Sequence, residues 1–440
     1  MIEPEQTTAL NKFISGNKSQ IRPKAIGKTS RDVITSSQDP FITNTIINGA
    51  KWVFFSNCIV AFWPFSIKTT QDTQQKYLNF HFPTIGLFVT ICYILLNVLY
   101  LTHYFIVKFH EYALQMQAFD HICLIIWDCM IIGGGTLCRI YGIWRMPKLH
   151  SFWNKIVNIV GQCTNLSSER EIKEKFRKLE KWGLKWFVTF TAIGIINGSA
   201  VFYNDLYNHN EPLLKVIIIE YIDTVISSHN ASAFFLIFFI KIMTHGFIIC
   251  RRKLEQTSNQ NTDNIMFSTH NLKEKIDLQE VFKLIRDLEE CVASFNTTFV
   301  FILFLEVTFS FWQVMFSLYF FHAVDPLSNF LAGINMMIPI LSYSTCLVCL
   351  CHESSKLTGE CQKMVGIFQE LPISTAEDNR KVQLLVSRLT SEPPQIEVSQ
   401  LFYIRESLLG SALNTLATYF IVLMQMRQMT QDTSPGAVRV

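Results

Sequence analysis

The last apolar run of the chain carries a regular series of polar side chains. Ser411, Asn414, Thr418, Ile421 and Gln425 follow one another at intervals of three or four residues, so on a helix they form one narrow stripe. Hydroxyl and amide groups that lack hydrogen-bond partners are costly in hydrocarbon. The stripe is therefore predicted to face a neighbouring helix or a central axis rather than lipid.

A second group of side chains has the chemistry of a small-molecule site. Ionisable groups inside membrane-spanning segments are rare and mark functional sites, and ligand pockets combine aromatic walls with a few polar groups. The best single candidate is Asp128, which lies beside Trp127 in the middle of an apolar run. For each candidate, a structural polar network or a side chain reaching the membrane interface is the alternative. The candidate ligand-binding residues are Asp128, Trp127, Tyr221, Asp223, Glu306, Trp312 and Asn335, with Tyr319 nearby.

The composition indicates a membrane protein. Of 440 residues, 49% are hydrophobic, 13% are aromatic and only 17% are charged, whereas soluble proteins average about 25% charged residues. The net charge of +3 gives no indication of a nucleic-acid partner. The sequence contains no HExxH, GxSxG or DHHC string, so neither an enzyme nor a bound metal or cofactor is expected.

Seven apolar runs are long enough to cross a bilayer, which takes roughly 20 residues in a helix. The predicted fold is therefore an all-α membrane protein with seven transmembrane helices. The predicted spans are residues 84–107, 119–143, 184–202, 213–250, 298–321, 330–351 and 409–426.

The distribution of basic residues predicts the orientation of these spans. The long connections 144–183, 251–297 and 352–408 carry 22 Lys and Arg residues, while the short connections carry only Lys108. Cytoplasmic loops are enriched in Lys and Arg, so the long connections are predicted to be cytoplasmic. The N-terminus is then inside and the C-terminus outside. An eighth apolar run, 50–67, is predicted to be an interfacial helix at the inner membrane face.

The cytoplasmic connections carry helical patterns of their own. Val281, Ile285, Leu288, Val292 and Phe295 recur at helical spacing, which predicts helices that continue below the membrane. The predicted organisation is a cytoplasmic region 1–83, six spans with their loops in 84–351, a cytoplasmic helical segment 352–408, the seventh helix 409–426 and an extracellular tail 427–440.

The final span resembles that of the insect gustatory receptors. The hallmark of this family is Thr-Tyr, five apolar residues and then Gln-Phe, and the chain has Thr418, Tyr419 and Gln425 in these places. Met426 replaces the usual Phe. Sweet-taste members often carry Glu directly after the Thr-Tyr pair, whereas this chain has Phe420, which disfavours a sugar ligand.

The resemblance implies a cell-membrane receptor that acts as a tastant-gated, non-selective cation channel. The family assembles as homo- or heterotetramers of related subunits, each contributing its last helix to a central pore. It takes a small-molecule tastant among the outer halves of helices 2–6. The implied pore and gate residues are Gln425, Met426, Ile421, Val422, Thr418 and Asn414.

Two other membrane classes compete with this interpretation. A G-protein-coupled receptor would have its N-terminus outside and carry Asp-Arg-Tyr and Asn-Pro-x-x-Tyr strings, neither of which occurs. A secondary transporter would show broken helices in two related halves, and only Gly133–Gly135 and Pro339 interrupt the predicted spans.

Overall fold

The structure is a computed structural model that describes residues 40–59, 66–69, 76–79, 85–115, 119–203, 213–263, 271–323, 330–370 and 376–432. The predicted N-terminal region as far as residue 39 and the tail residues 433–440 lie outside the described residues. Nearly all of the described chain is helical. The helices are α1 (Pro40–Gly49), α2 (Lys51–Ile59), α3 (Ile85–Gln115), α4 (Phe119–Trp144), α5 (Met146–Leu166), α6 (Glu169–Tyr203), α7 (Leu213–Asp263), α8 (Asn271–Ala323), α9 (Phe330–Glu370), α10 (Ala376–Ser391) and α11 (Glu406–Asp432).

Two small antiparallel hairpins complete the described chain. The first pairs β1 (Ser66–Thr69) with β2 (Lys76–Asn79), and the second pairs β3 (Glu397–Val398) with β4 (Phe402–Tyr403). Both were absent from the sequence predictions, because strands of two to four residues give almost no periodic signal.

Each of the seven predicted spans falls on one continuous helix, namely α3, α4, α6, α7, α8, α9 and α11. The helical membrane class is thereby confirmed, whereas the sides on which the termini lie stay a prediction. Within the described residues, five stretches are long and apolar enough to cross a membrane, and a shorter apolar stretch, Leu87–Leu99, lies in α3. The five are Ile122–Trp144, Asn230–Ser258, Leu278–His322, Met336–Glu370 and Glu406–Met429.

The residues that interrupt the predicted spans do not break the helices. Helix α4 continues through Gly133–Gly135, and α9 continues through Pro339. A Cβ atom added at Gly134 would lie 1.8 Å from the Phe309 ring of α8, whereas one at Gly133 would meet nothing within 4 Å. Gly134 is therefore a point of close approach between α4 and α8, not a transporter-type discontinuity.

Helices α7, α8 and α9 extend well past the predicted spans and pack on one another. Helix α7 is the central element, since 83% of its most apolar part is buried. In the extended part, Arg251 Nε of α7 lies 2.8 Å from Glu360 Oε2 of α9, and Arg388 of α10 is paired with Glu289 of α8. These contacts agree with the predicted helical extensions and join them into one body.

The start of α6 is capped by the residues that precede it. The Ser168 hydroxyl accepts a hydrogen bond from the backbone N–H of Glu171 at 3.3 Å, and Ser167 donates to the Glu171 carboxylate at 2.6 Å. That hydrogen bond from Ser167, together with the charge of Arg252 at 2.7 Å, lowers the pKa of Glu171. Helix α6 is thereby fixed to α7 at its first turn.

The predicted interfacial helix 50–67 is shorter and more deeply packed than expected. Helix α2 ends at Ile59, and Ser66 and Ile67 belong to strand β1 instead. Val53 and Phe54 are fully buried, and Phe54 packs edge-on against Trp153 at 5.8 Å. One side of the helix is thus packed against α5 and α7, while Phe55 on the other side is 49% exposed, and its position at the inner membrane face stays a prediction.

Hairpin β3–β4 leads directly into α11. Two residues of its three-residue loop, Ser399 and Gln400, have φ of 47° and 61°, the left-handed region that favours glycine and asparagine. Buried Ile396 and Ile404 join the core beside the hairpin, and the backbone N–H of Ile404 donates to Ile396 O at 2.9 Å. The hairpin therefore sets the point at which α11 begins.

Candidate functional site

A compact group of large side chains lies behind α11. Buried residues of α4 and α8 form it, and we name it the aromatic cluster; its members are Cys123, Trp127, Ile132, Met315, Phe316 and Tyr319. Partly buried side chains of α3, α4, α8, α9 and α11 pack against it, including Trp312 and Phe320 of α8 and Leu416, Leu423 and Met424 of α11. The cluster thus contacts the pore-helix candidate directly.

Helix α11 has one face against its own chain and one face that the chain leaves uncovered. No residue in its most apolar part is buried, in contrast to the 83% of α7. The inner face, with Leu416, Leu423 and Met424, meets the aromatic cluster. The predicted stripe is exposed throughout, at Ser411, Asn414, Thr418, Ile421 and Gln425.

Two threonine hydroxyls on α11 donate hydrogen bonds within the helix. Thr415 Oγ1 donates to Ser411 O at 2.8 Å, and Thr418 Oγ1 donates to Asn414 O at 2.9 Å. The amides of Asn414 and Gln425 are exposed, and so are the apolar gate candidates Ile421 (55% exposed), Val422 (42%) and Met426 (45%). The exposed surface therefore alternates amide groups with apolar side chains.

The Thr-Tyr pair splits between the two faces of α11. Thr418 is on the exposed face, while the Tyr419 ring packs against Trp312 and Phe311 of α8 at centroid distances of 6.3 and 6.5 Å. The ring of the next residue, Phe420, packs edge-to-face against the His322 ring at a centroid distance of 6.3 Å. The aromatic residues after Thr418 thus hold the exposed polar stripe in a fixed orientation relative to α8.

Trp127 and Trp312, two of the candidate ligand-binding residues, both lie at the aromatic cluster. The Trp127 indole Nε1 donates a hydrogen bond of 2.5 Å to Gln313 Oε1, and its ring stacks on Phe320 at 5.3 Å. Trp312 stacks on Phe316 at 5.7 Å. The arrangement has aromatic walls and one buried amide, the composition of a small-molecule site.

Glu306 is buried but lies away from these rings. It precedes Trp312 by six residues of α8, or about 9 Å along the helix axis. Its electrostatic neighbours are Cys138 of α4 and Cys346 of α9. The structure therefore separates Glu306 from the two tryptophans. The side chains of Asp128, Tyr221, Asp223 and Asn335 lie outside the described residues, although their backbones are helical.

A charged contact at the end of α11 was missed by the sequence predictions. Arg427 Nε lies 3.5 Å from Asp120 Oδ2, and the Tyr319 hydroxyl donates a hydrogen bond to Asp120 Oδ1. Gln313, the partner of Trp127, was missed as well. Two sequence features could have indicated the charged contact: Asp120 in the first turn of the second span, and Arg427 directly after the Gln-Met pair.

The ligating residue types do not assemble into a metal centre here. Across the described residues, no three His, Cys, Asp or Glu side chains come together in a way that could hold an ion. What the site offers is aromatic and amide chemistry.

The chain is similar to known chemoreceptors over most of its length. The sequence profile of the family described as 7tm Chemosensory receptor matches residues 53–430. The fold is similar to that of the insect olfactory receptor OR5 from Machilis hrabei, with a TM-score of 0.62 and 14% identity over 88% of this chain and 100% of that one. The same receptor in complex with eugenol gives a TM-score of 0.57 and 13% identity over 87% and 99%. A comparison with curated proteins finds no match.

Proposed function

This chain belongs to the 7tm chemosensory receptor family, and on that premise we propose that it is a gustatory receptor acting as a tastant-gated, non-selective cation channel in the cell membrane. The proposed assembly is a homo- or heterotetramer in which α11 of each subunit lines a central pore. The gustatory assignment rests on Thr418, Tyr419 and Gln425 in the last helix, which match that branch of the family.

The observation that carries the proposal is the uncovered polar stripe of α11. An apolar helix with Asn414 and Gln425 on its exposed face would place two amides in hydrocarbon, at a cost of roughly 1–3 kcal/mol each by protein mutational data. That cost disappears if the face is turned towards water in a pore. Copies of one chain arranged around an axis close such a face into a ring.

The proposed gate is formed by the apolar side chains on the same exposed surface. Ile421, Val422 and Met426 would narrow the pore with groups that cannot hydrate an ion, and such constrictions gate by losing their water. Gln425 would contact ions directly with its amide dipole. Thr418 and Asn414 would line the wider, wetter part of the pore.

The proposed ligand site is centred on the aromatic cluster. OR5, a structural neighbour, has been seen with the small aromatic molecule eugenol, and a molecule of that kind suits the walls made by Trp127 and Trp312. Leu416, Leu423 and Met424 of α11 contact the same cluster, so a ligand that repacks the rings would act on the pore helix directly. Asp128, Tyr221, Asp223 and Asn335 remain proposed contacts, whereas Glu306 lies away from the two tryptophans and is left out of this site.

The proposal is tested by replacing residues of α11 with cysteine, one at a time. A water-soluble thiol reagent should modify Asn414→Cys, Thr418→Cys and Gln425→Cys and reduce the current, because these positions would face the pore. Leu416→Cys and Leu423→Cys are the matched controls on the inner face and should stay unmodified.

The recordings are made with G-protein signalling blocked, so that any current belongs to the chain itself. Equal reactivity of the two sets of positions would contradict a pore along α11. Ligand responses that vanish when G-protein signalling is blocked would instead identify a G-protein-coupled receptor.

A further inference from the structure

Helix α11 is tied to the rest of the chain at both ends. At its start, the backbone N–H of Glu406 donates to Ser355 Oγ of α9 at 2.9 Å, and the Glu406 carboxylate lies 2.9 Å from His352 Nδ1. At its end, Arg427 meets Asp120 of α4 at 3.5 Å. Between these two ties the exposed face carries the proposed pore residues.

The tie at the end of α11 joins three helices through one carboxylate. Asp120 Oδ1 accepts a hydrogen bond from the Tyr319 hydroxyl of α8, and Asp120 Oδ2 pairs with Arg427 of α11. Tyr319 is fully buried, and the Arg427 and Asp120 side chains are 19% and 42% exposed. A charge-assisted contact that is partly shielded from water is stronger than one on an open surface.

The same three residues are in register with the aromatic cluster and the proposed gate. Trp127 follows Asp120 by seven residues on α4, and Tyr319 follows Trp312 by seven residues on α8. Seven residues are two helical turns, so the members of each pair lie on one face. Arg427 directly follows Met426. The two tryptophans and the carboxylate that contacts the gate end of α11 are thus connected along two helices.

We infer that Asp120 is a positioning residue for gating, which holds the end of the pore helix against α4 and α8 in the closed channel. The inference rests on the proposed function. It identifies Asp120 as the contact between the helices of the proposed ligand site, α4 and α8, and the gate end of α11. A contact present in one state and released in the other shifts the equilibrium between them by its interaction free energy. Removing it should therefore favour the open channel.

The test uses the full chain in membranes, with Na⁺ as charge carrier and no agonist added. Asp120→Asn, Arg427→Gln and Tyr319→Phe should each raise the unliganded current per surface receptor by about fivefold or more, the lower range of allosteric couplings. The reversal potential should not move. Asp120→Asn combined with Arg427→Gln should raise the current no further than either change alone, because the contact can be lost only once. Glu377→Gln, which breaks the exposed pair with Lys381, is the matched control and should leave the current unchanged.

A second measurement does not depend on conduction. The heat stability of the purified full chain is compared for the two single variants and the double variant, and non-additive losses would establish that the side chains interact. Additive losses of stability would contradict an interaction between Asp120 and Arg427. Non-additive losses with an unchanged unliganded current would identify a purely structural pair and would overturn the inference. Absence of current from every surface-expressed variant, wild type included, would count against the channel itself.

Discussion

The Trp127 indole nitrogen donates a 2.5 Å hydrogen bond to the side-chain oxygen of Gln313, and this bond joins α4 to α8 directly behind α11. Both residues are buried, Gln313 almost completely. The bond orients the indole ring that forms the wall of the proposed ligand site. It also connects the two helices that carry Asp120 and Tyr319.

Removing one partner of this bond should be more harmful than removing both. Trp127→Phe keeps an aromatic ring but leaves the Gln313 amide buried without its partner, which should destabilise the protein by about 1–3 kcal/mol. Trp127→Phe with Gln313→Met replaces both polar groups by apolar ones and should recover most of that loss. Thermal unfolding of the purified protein measures both. A double variant that is no more stable than Trp127→Phe alone would contradict this role of the bond.

Neighbouring glycines of α4 should respond to substitution in opposite directions. Gly134→Ala would drive its methyl group into Phe309, and overpacking of this kind costs typically about 1–3 kcal/mol. Gly133→Ala meets open space and should be neutral or slightly stabilising, because alanine favours a helix over glycine by about 1 kcal/mol. Thermal unfolding of the two variants decides it, and equal effects would contradict the close approach of α4 and α8.

The turn of hairpin β3–β4 should accept glycine where its neighbours do not. Ser399 and Gln400 have positive φ, which costs residues with a Cβ atom roughly 1–2 kcal/mol each. Gln400→Gly should therefore raise the thermal unfolding temperature, and Ser399→Asn with Gln400→Gly should raise it further. Glu397→Gly, in the adjoining strand, is the control and should lower it. A drop in unfolding temperature for Gln400→Gly would refute this description of the turn.

The seven long helices were predictable because each follows from a continuous apolar run, a property of local sequence alone. The exposed stripe of α11 was predictable for the same reason, since residues three and four apart share a face whatever surrounds the helix. The contacts of Gln313 and Asp120 were not predictable, because the partners of these residues depend on which faces of α4, α8 and α11 pack together. The turn at Ser399 and Gln400 lacks the Asn-Gly or Asp-Gly pair that announces a hairpin, so only the three-dimensional structure reveals it.

The orientation of the chain in the membrane is open to direct measurement. The 22 basic residues in the long connections, against one in the short ones, predict an intracellular N-terminus and an extracellular C-terminus. Epitope tags are placed at each end and stained in intact cells. The C-terminal tag should be readable without permeabilisation and the N-terminal tag only after it. The reverse pattern would overturn the topology and place Arg427 at the inner side.

Gln425 provides the most direct test of the pore. If α11 lines the channel, the Gln425 amides form a ring that partly dehydrated cations contact, so Gln425→Ala should change the relative permeabilities of Na⁺, K⁺ and Ca²⁺. Gln425→Glu would add a ring of negative charge and should favour Ca²⁺. Gln362→Ala is the matched control, because Gln362 is an exposed amide of α9 away from the stripe.

The alternative role for Gln425 makes a different prediction. As a hydrogen-bonding contact between subunits it would be worth roughly 0.6–2 kcal/mol, so its loss would reduce assembly and leave permeation intact in the channels that remain. Met426→Phe adds an independent measurement at the next position. A stiff ring fills a constriction more reliably than a flexible thioether, so this variant should carry less unliganded current. Reversal potentials, together with currents normalised to surface receptor number, separate the two roles: variants of Gln425 that conduct with wild-type selectivity would remove this residue from the pore.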